Sequence, residues 1–335
     1  MTRLPRCGAL LVQALGILLV SAAMARAEEP VRSAAGVAGD FAGLIDIGGG
    51  RRLYLECRGA GDPVVILEAG YRDSARVWSE DRRRSRSPRK MVFTGVAAFA
   101  RVCAYDRPGT VAPLDGNPRP SRSDPVPQPR TITAIVADLH ALLRAGRVPG
   151  PYVLVGHSLG GLFVRLYAST YPREVVGLVL VDAYSEELER LLAPARWAAL
   201  VRFNRRSGSD TVETIPGYGD IETVKYGTGN IAMRRAVEAT PLRPMPLAVL
   251  AHARPFEIPP DKAEGVSSAA LETVLRVAGE KLATLVPNAR FFVAEESGHY
   301  IQQDQPELVT EAIREVVAGV RHPDTWYNLK SCCTK

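Results

Sequence analysis

The stretch Val153-Leu154-Val155-Gly156-His157-Ser158-Leu159-Gly160-Gly161 decides the fold, because an apolar strand pattern runs through Gly-x-Ser-x-Gly directly into an amphipathic helix. A serine on so tight a strand-to-helix turn has strained backbone angles, so the residues two before and two after it must be small, as Gly156 and Gly160 are. The turn exposes the serine hydroxyl at the positive end of the helix dipole. We predict that Ser158 is a nucleophile and that the amide of Leu159 is one donor of an oxyanion hole.

Strand and helix patterns alternate on both sides of this turn. A hairpin of 44–47 and 53–57 is followed by strand patterns at 64–67, 101–105, 152–155, 176–181, 247–251 and 290–293. Helical spacing of apolar residues occurs at 131–145, 159–171 and 271–285, and again from Pro306 onward. Because the strands are apolar throughout, they predict an α/β fold with a mostly parallel central sheet covered by helices on both faces.

Two stretches interrupt the alternation. Residues 108–130 are rich in Pro, Gly, Ser and Asp and predict a long, mobile loop. Residues 184–243 hold short helical patterns between two core strands, and we interpret them as a small cap over the carboxyl edge of the sheet. The core then consists of 28–183 and 244–321, and 322–335 form a carboxyl-terminal tail.

The amino terminus has the order of a secretory signal peptide. Arg3 and Arg6 precede an apolar run at 9–20, and Ala25-Arg26-Ala27 provides small residues for cleavage. We expect cleavage after Ala27 and export, to the medium, the periplasm or the cell surface. The alternative is an uncleaved membrane anchor, although the apolar run is near the lower length limit for a membrane span.

Composition narrows the classes of partner. The formal net charge of +6 is concentrated in the leader and in the run Arg82–Lys90, so no extended basic face for nucleic acid is expected. This run predicts a solvated loop, and its alternative role is a weak surface association with anionic lipid or cell-wall polymer. After the leader, Cys57, Cys103, Cys332 and Cys333 remain, and none has the spacing of metal ligands, so we expect no metal.

An oxyanion hole needs a second amide, which in this architecture comes from the loop after the third strand. That loop is Glu68-Ala69-Gly70-Tyr71-Arg72-Asp73, in which Gly70 permits a close approach of the backbone. The amide of Tyr71 is therefore the predicted second donor. The alternative is an ordinary turn.

A serine nucleophile requires a histidine that accepts its proton and a carboxylate that orients the histidine. His299 follows the last predicted strand and precedes the last helix, so it is the predicted base. His140 is expected at a helix surface and His322 in the tail. His252 ends a strand and is expected to line the site without a catalytic role.

The predicted acid is Asp182, which ends the strand pattern that follows the nucleophile. The later strand at 247–251 carries no aspartate at its end, and Glu257, a few residues further on, remains the alternative acid. Asp182 could instead only cap the helical turn that follows it.

Together these blocks resemble the α/β-hydrolase family of bacterial esterases and lipases, and the resemblance covers nearly all of the chain after the leader. The blocks that carry it are 67–70, Trp78, 104–109, 155–161, 180–182 and 297–302. The resemblance implies the α/β-hydrolase fold, hydrolysis without a cofactor and a triad of Ser158, Asp182 and His299. It also implies that the strands bearing Cys57 and Cys103 are neighbours, so that a disulfide between them is geometrically possible.

The function hypothesis is a serine hydrolase that cleaves small-molecule carboxylic esters through an acyl-enzyme. A serine at the elbow argues against relatives that use an aspartate there. A peptidase or amidase and an acyltransferase remain alternatives on the same triad, and a non-catalytic ligand-binding protein is a further one. The acidic residues Glu186, Glu187 and Glu189 are too solvent-like in pattern to predict recognition of a substrate amine.

Overall fold

The chain is described by a computed structural model over residues 39–327, with the exception of 84, 86, 115–116, 207–219 and 257–266. The predicted signal peptide at 1–27, the alternative acid Glu257 and the pair Cys332-Cys333 lie outside the described residues.

An eight-stranded sheet forms the centre of the described part of the chain, in the order β1-β2-β4-β3-β7-β8-β9-β10. Its first two strands run antiparallel to their neighbours, and all pairs from β4 to β10 are parallel, which confirms the predicted mostly parallel sheet. The strands are β1 (Phe41–Asp46), β2 (Arg52–Arg58), β3 (Val64–Glu68), β4 (Val102–Tyr105), β7 (Tyr152–His157), β8 (Val175–Val181), β9 (Leu247–His252) and β10 (Arg290–Ala294), and a separate hairpin comprises β5 (Val111–Leu114) and β6 (Asn117–Pro120).

Helices cover both faces of this sheet, as predicted. Because side chains alternate along a strand, β7 directs Leu154 into one apolar cluster and Val153 and Val155 into the other. Within the described residues, no helix is both long enough and apolar enough to span a membrane. The helices are α1 (Val92–Ala97), α2 (Ile132–Ala145), α3 (Leu159–Thr170), α4 (Leu188–Leu191), α5 (Pro194–Arg206), α6 (Tyr226–Ala239), α7 (Ser268–Leu282), α8 (Ile301–Asp304), α9 (Pro306–Arg321) and α10 (Pro323–Tyr327), with a 3-10 turn at Ala75–Trp78.

The stretch 108–130 differs from the expected long loop. It contains the β5–β6 hairpin, and its polar residues bind the edge of the main sheet. Arg122 donates to Asp106 from its Nε at 2.8 Å, and Asp124 accepts from the backbone amide of Arg52 at 2.8 Å. Serine and aspartate side chains that cannot join an apolar core instead satisfy backbone and side-chain donors at the sheet edge.

The described part of the predicted cap, 184–243, divides into two parts. The helices α4 and α5 contribute Leu188 and Leu200 to a pocket at the end of the sheet. The helix α6 packs instead against α2, where Gly229 lies so close to Ile132 that a Cβ atom would meet the Ile132 Cδ1 at 2.0 Å. Only the first part therefore lies over the pocket.

The acids of this segment form ion pairs, which the sequence pattern did not indicate. Glu186 is buried and accepts from Arg165 of α3 at 2.7 Å, which ties the start of the segment to the helix that follows Ser158. Glu187 pairs with Lys281 and Glu189 pairs with Arg234. The expectation that Glu186 is solvated is wrong, because a buried arginine lies opposite it.

A disulfide joins Cys57 of β2 to Cys103 of β4. The two residues are directly paired across the antiparallel strands, and both are fully buried. The bond closes a long loop of chain between the first hairpin and the fourth strand, because the two cysteines are 46 residues apart.

We expect the double variant Cys57→Ala/Cys103→Ala to lose about 4 kcal/mol of unfolding free energy, because a bond that closes a loop of this length restricts the unfolded chain. Urea unfolding of the double variant and of the oxidised protein measures the difference. The protein reduced in urea is the matched control and should unfold like the variant. Equal midpoints for the variant and the oxidised protein would contradict the prediction.

Candidate active site

The turn between β7 and α3 holds Ser158 in the left-handed region, at φ 50° and ψ −124°. Glycines make this turn possible: a Cβ atom on Gly156 would meet the Gly160 carbonyl oxygen at 2.6 Å, and one on Gly160 would meet the Ala69 carbonyl oxygen at 2.5 Å. The amide of Ser158 donates to the carbonyl of Val181 at 3.1 Å, which ties the turn to the end of β8. The serine therefore lies at the carboxyl end of the sheet, with its neighbours packed against it.

Asp182 and His299, which are 117 residues apart in the chain, are brought into hydrogen-bond contact. The His299 Nδ1 lies 2.5 Å from the Asp182 Oδ2. Because a carboxylate accepts, Nδ1 carries the proton and Nε2 is left as an acceptor. Burial alone would raise the pKa of Asp182, but hydrogen bonds from His252 and His299 outweigh burial and hold it well below its usual range.

The loop that carries His299 is held by several side chains. Asp304 accepts from the amide of Gly298 at 3.0 Å, and the elbow residue His157 donates from Nε2 to the His299 carbonyl at 2.9 Å. Burial and repulsion by His299 lower the pKa of His157 to about 3, so His157 is neutral at physiological pH. The elbow thus positions the backbone of the histidine loop directly.

The loop predicted to supply the second oxyanion amide lies against Ser158. A Cβ atom on Gly70 would meet the Ser158 Cβ at 3.1 Å and the His157 Nδ1 at 2.8 Å, so only glycine permits this approach. Arg107 donates to the carbonyls of Ala69 at 2.9 Å and Gly70 at 2.7 Å. Gly70, which immediately precedes Tyr71, therefore lies against the elbow, and Ala69 lies against Gly160 in the first turn of α3, where Leu159 is the first helical residue.

A buried charge network behind this loop was missed by sequence reasoning. Arg107 binds the carboxylates of Glu68 and Glu222, and Glu222 also accepts from the amide of Arg72 at 2.6 Å. Burial raises the pKa of Glu68 to about 7, against the opposing attraction of Arg107. Glu68 was a signal in the sequence, since it is an acid at the end of an otherwise apolar strand. Glu222, the second carboxylate that binds Arg107, is 115 positions beyond Arg107 in the chain and had no such signal.

Ser158, Asp182 and His299 line one pocket of about 100 Å³. Apart from these three residues and Tyr184, its described lining is made of apolar side chains and Gly279. The apolar side chains come from the strand ends, from α4, α5 and α7, and from Phe256. The arrangement places a serine hydroxyl and an imidazole oriented by a carboxylate in the lining of one apolar cavity.

A second histidine contacts the same carboxylate. The His252 Nδ1 lies 2.7 Å from the Asp182 Oδ1, and its Nε2 lies 3.0 Å from the Glu272 Oε2 of α7. Burial alone would lower the pKa of His252, but the hydrogen bond to Asp182 and the charges of Asp182 and Glu272 raise it to about 9. The sequence placed His252 beside the site and indicated no ionic partner for it.

Three arginines of the basic run 82–90 contact the protein itself. Arg82 pairs with Asp73 at 2.9 Å, Arg83 pairs with Asp304 at 2.5 Å, and Arg89 donates to the carbonyl of Gln303 at 2.7 Å. Among the residues that the structure describes, no group of three or more His, Cys, Asp and Glu side chains could hold a metal ion.

Relatives among known proteins match parts of the chain. A protein named probable transporter efuK, from Hormonema carpetanum, is 33% identical over 150 residues, and the match spans 43% of this chain but only 19% of that protein. A protein of the AB hydrolase superfamily from Gibberella zeae is 24% identical over 328 residues, and the match covers 83% of this chain and 94% of that protein.

The fold is also shared with solved structures. A thermophilic esterase from Thermogutta terrifontis superposes with a TM-score of 0.50 at 21% identity, over 84% of this chain and 99% of the esterase chain. The model of the alpha/beta hydrolase family matches residues 64–312, which include the elbow, Asp182 and His299. The sheet order, the strained serine turn and this match agree, and the chain belongs to the alpha/beta hydrolase family.

Proposed function

We propose that this protein is an exported serine hydrolase that cleaves carboxylic esters through an acyl-enzyme. The observation that carries the proposal is the 2.5 Å contact between Asp182 and His299, in a pocket that the strained Ser158 also lines. An aspartate, a histidine and a serine from three separate loops at one sheet edge are the parts that acyl transfer to serine requires.

In the first step, the ester carbonyl binds with its oxygen towards the amides of Tyr71 and Leu159. The Ser158 hydroxyl attacks the carbonyl carbon as the His299 Nε2 accepts its proton. The developing oxyanion is stabilised by these amides and by the amino terminus of α3. The tetrahedral intermediate formed by this attack then collapses and expels the alcohol, which takes the proton from His299. The acyl group remains on Ser158.

In the second step, water replaces the alcohol. His299 takes a proton from the water, which attacks the acyl carbon, and the carboxylic acid leaves as Ser158 regains its proton. Asp182 keeps the imidazole in the tautomer with its proton on Nδ1 and stabilises the imidazolium that forms twice in each turnover.

The pocket supports an ester with an apolar acyl group. Leu188, Leu200, Leu271 and Leu275 provide a surface that favours hydrocarbon, and no Lys or Arg belongs to the described lining. The nearby acids Glu186 and Glu187 are already paired with Arg165 and Lys281, which gives recognition of a substrate amine little support.

Export is part of the same proposal. The order of charged, apolar and small residues in 1–27 is typical of a secretory signal, and the disulfide between Cys57 and Cys103 is typical of an oxidising compartment.

Replacement of the nucleophile tests the mechanism. We expect Ser158→Ala to lower kcat for p-nitrophenyl butyrate by at least about 10³-fold, because no other group can form the acyl-enzyme. The matched control is Ser169→Ala, at the far end of the same helix α3, which should leave kcat unchanged. Turnover in the Ser158→Ala variant at the wild-type rate would overturn the proposal.

Replacement of the acid distinguishes Asp182 from the alternative Glu257. Asp182→Asn should lower kcat by about 10⁴-fold, since an amide that donates towards His299 favours the wrong tautomer. Glu257→Gln should retain wild-type kcat. A large loss in the Glu257 variant together with an active Asp182 variant would transfer the role to Glu257, and circular dichroism of both variants controls for folding.

The apolar pocket predicts discrimination against charged acyl groups. The p-nitrophenyl hemisuccinate ester should show a kcat/KM at least about tenfold below that of the butyrate ester, because burial of an unpaired carboxylate among leucines is unfavourable. Steady-state kinetics at pH 7.5 with both esters measures the ratio. Equal values would show that the acyl group does not occupy this pocket.

A further inference from the structure

The end of β9 holds a side chain that the ester mechanism does not use. The side chain of His252 is 4% exposed, and each ring nitrogen lies near a carboxylate oxygen, Nδ1 at 2.7 Å from Asp182 and Nε2 at 3.0 Å from Glu272. Its backbone amide also donates to the Asp182 Oδ1 at 3.2 Å. The two donors on this oxygen leave the other oxygen, Oδ2, to His299.

The arrangement determines the protonation of the ring. A nitrogen that faces a carboxylate must donate, and both nitrogens can donate only when the imidazole is a cation. The charged groups that face His252 are Asp182 at the end of β8 and Glu272 on α7, and His299 on the loop after β10 lies on the far side of Asp182. The Phe256 ring lies perpendicular to the His252 ring, with the two ring centroids 5.4 Å apart.

Glu272 connects this ion pair to the pocket wall. Its Oε1 accepts from the amide of Phe256 at 2.7 Å, and the Phe256 ring lies 5.0 Å from that of His299. The carboxylate of Glu272 therefore holds a pocket-lining aromatic residue and the second histidine at the same time.

We propose that His252 is a positioning residue for the triad acid: as an imidazolium held by Glu272, it fixes the Asp182 carboxylate so that Oδ2 faces His299. The proposal rests on the proposed ester hydrolysis, in which Asp182 is the acid. An Asp182 carboxylate held only by His299 could rotate about its Cβ–Cγ bond, and each rotation would misalign the imidazole that must reach Ser158. Donors from the ring and the backbone of His252 restrict that rotation.

The cation also balances charge at the site. Without His252, the carboxylates of Asp182 and Glu272 would lie near each other with no positive group between them. With it, the three groups together carry one net negative charge, as a lone aspartate would. The arrangement therefore orients the acid without adding to the negative charge that His299 faces.

A matched pair of amide variants separates orientation from charge. His252→Asn keeps a donor at the position of Nδ1, towards Asp182, whereas His252→Gln keeps one at the position of Nε2, towards Glu272. Both remove the charge. We expect kcat for p-nitrophenyl butyrate to fall about 10- to 100-fold further in the Gln variant than in the Asn variant, with KM within about threefold of the wild type. Equal kcat values in two folded variants would overturn the proposal.

The protonation of His252 gives a readout that does not depend on activity. In protein labelled with ¹⁵N-histidine, the His252 signals are those absent from the spectrum of the His252→Asn variant. At pH 7.5 these signals should show that both ring nitrogens of His252 are protonated. They should titrate with a pKa of about 9, because a raised pKa keeps the imidazolium present until the pH passes that value. A neutral His252 ring at pH 7.5 would overturn the proposal.

The outcomes distinguish this proposal from the ester mechanism. If the wild-type protein shows no ester turnover that depends on Ser158, the proposed function is wrong. The titration of the His252 ring would still test its ion pairs with Asp182 and Glu272. If the wild-type protein turns over the ester and the His252→Asn and His252→Gln variants have equal kcat values, only the positioning role of His252 is wrong. If the Gln variant does not fold, Glu272→Gln replaces it: His252 should then titrate at lower pH than in the wild type, and an unchanged titration would contradict the role of Glu272.

Discussion

Ser158, at the turn between β7 and α3, has a strained backbone conformation that close packing around it stabilises. Much of the structure near this turn depends on that packing. Gly156 and Gly160 leave no room for a Cβ atom, so α3 can begin directly against the end of β7 and the 68–73 loop can contact the elbow. His157 then fills the space beside Gly70 and holds the histidine loop by its backbone. The strain of one residue is thus offset by close packing on every side.

Two ionic clusters support this turn, one with a cation at its centre and the other with a carboxylate at its centre. On one side the cation Arg107 lies between two carboxylates and holds the carbonyls of the loop at Gly70. On the other side the carboxylate Asp182 lies between two imidazoles. In both groups a buried charge has several partners, which is the condition under which charges are tolerated away from water.

The segment 184–243 contributes to both the pocket and the loop that lies against Ser158. Its early helices provide Leu188 and Leu200, and the pair between Glu186 and Arg165 anchors its start. Further along the segment, before α6, Glu222 binds Arg107 and the amide of Arg72. A shift of this segment would therefore alter the apolar pocket and the 68–73 loop together.

The sequence by itself determined the features that depend on neighbours along the chain: the strand and helix alternation, the elbow at Ser158, and Asp182 and His299 as residues that follow strands. These depend on local spacing and on apolar periodicity, which a sequence displays directly. Only the tertiary structure decided which distant charges meet. Glu222 binds Arg107, Glu272 binds His252, and Glu186 binds Arg165. These pairs depend on how the segment 184–243 and the helix α7 pack against the sheet and its helices, because an ion pair between remote segments has no local pattern.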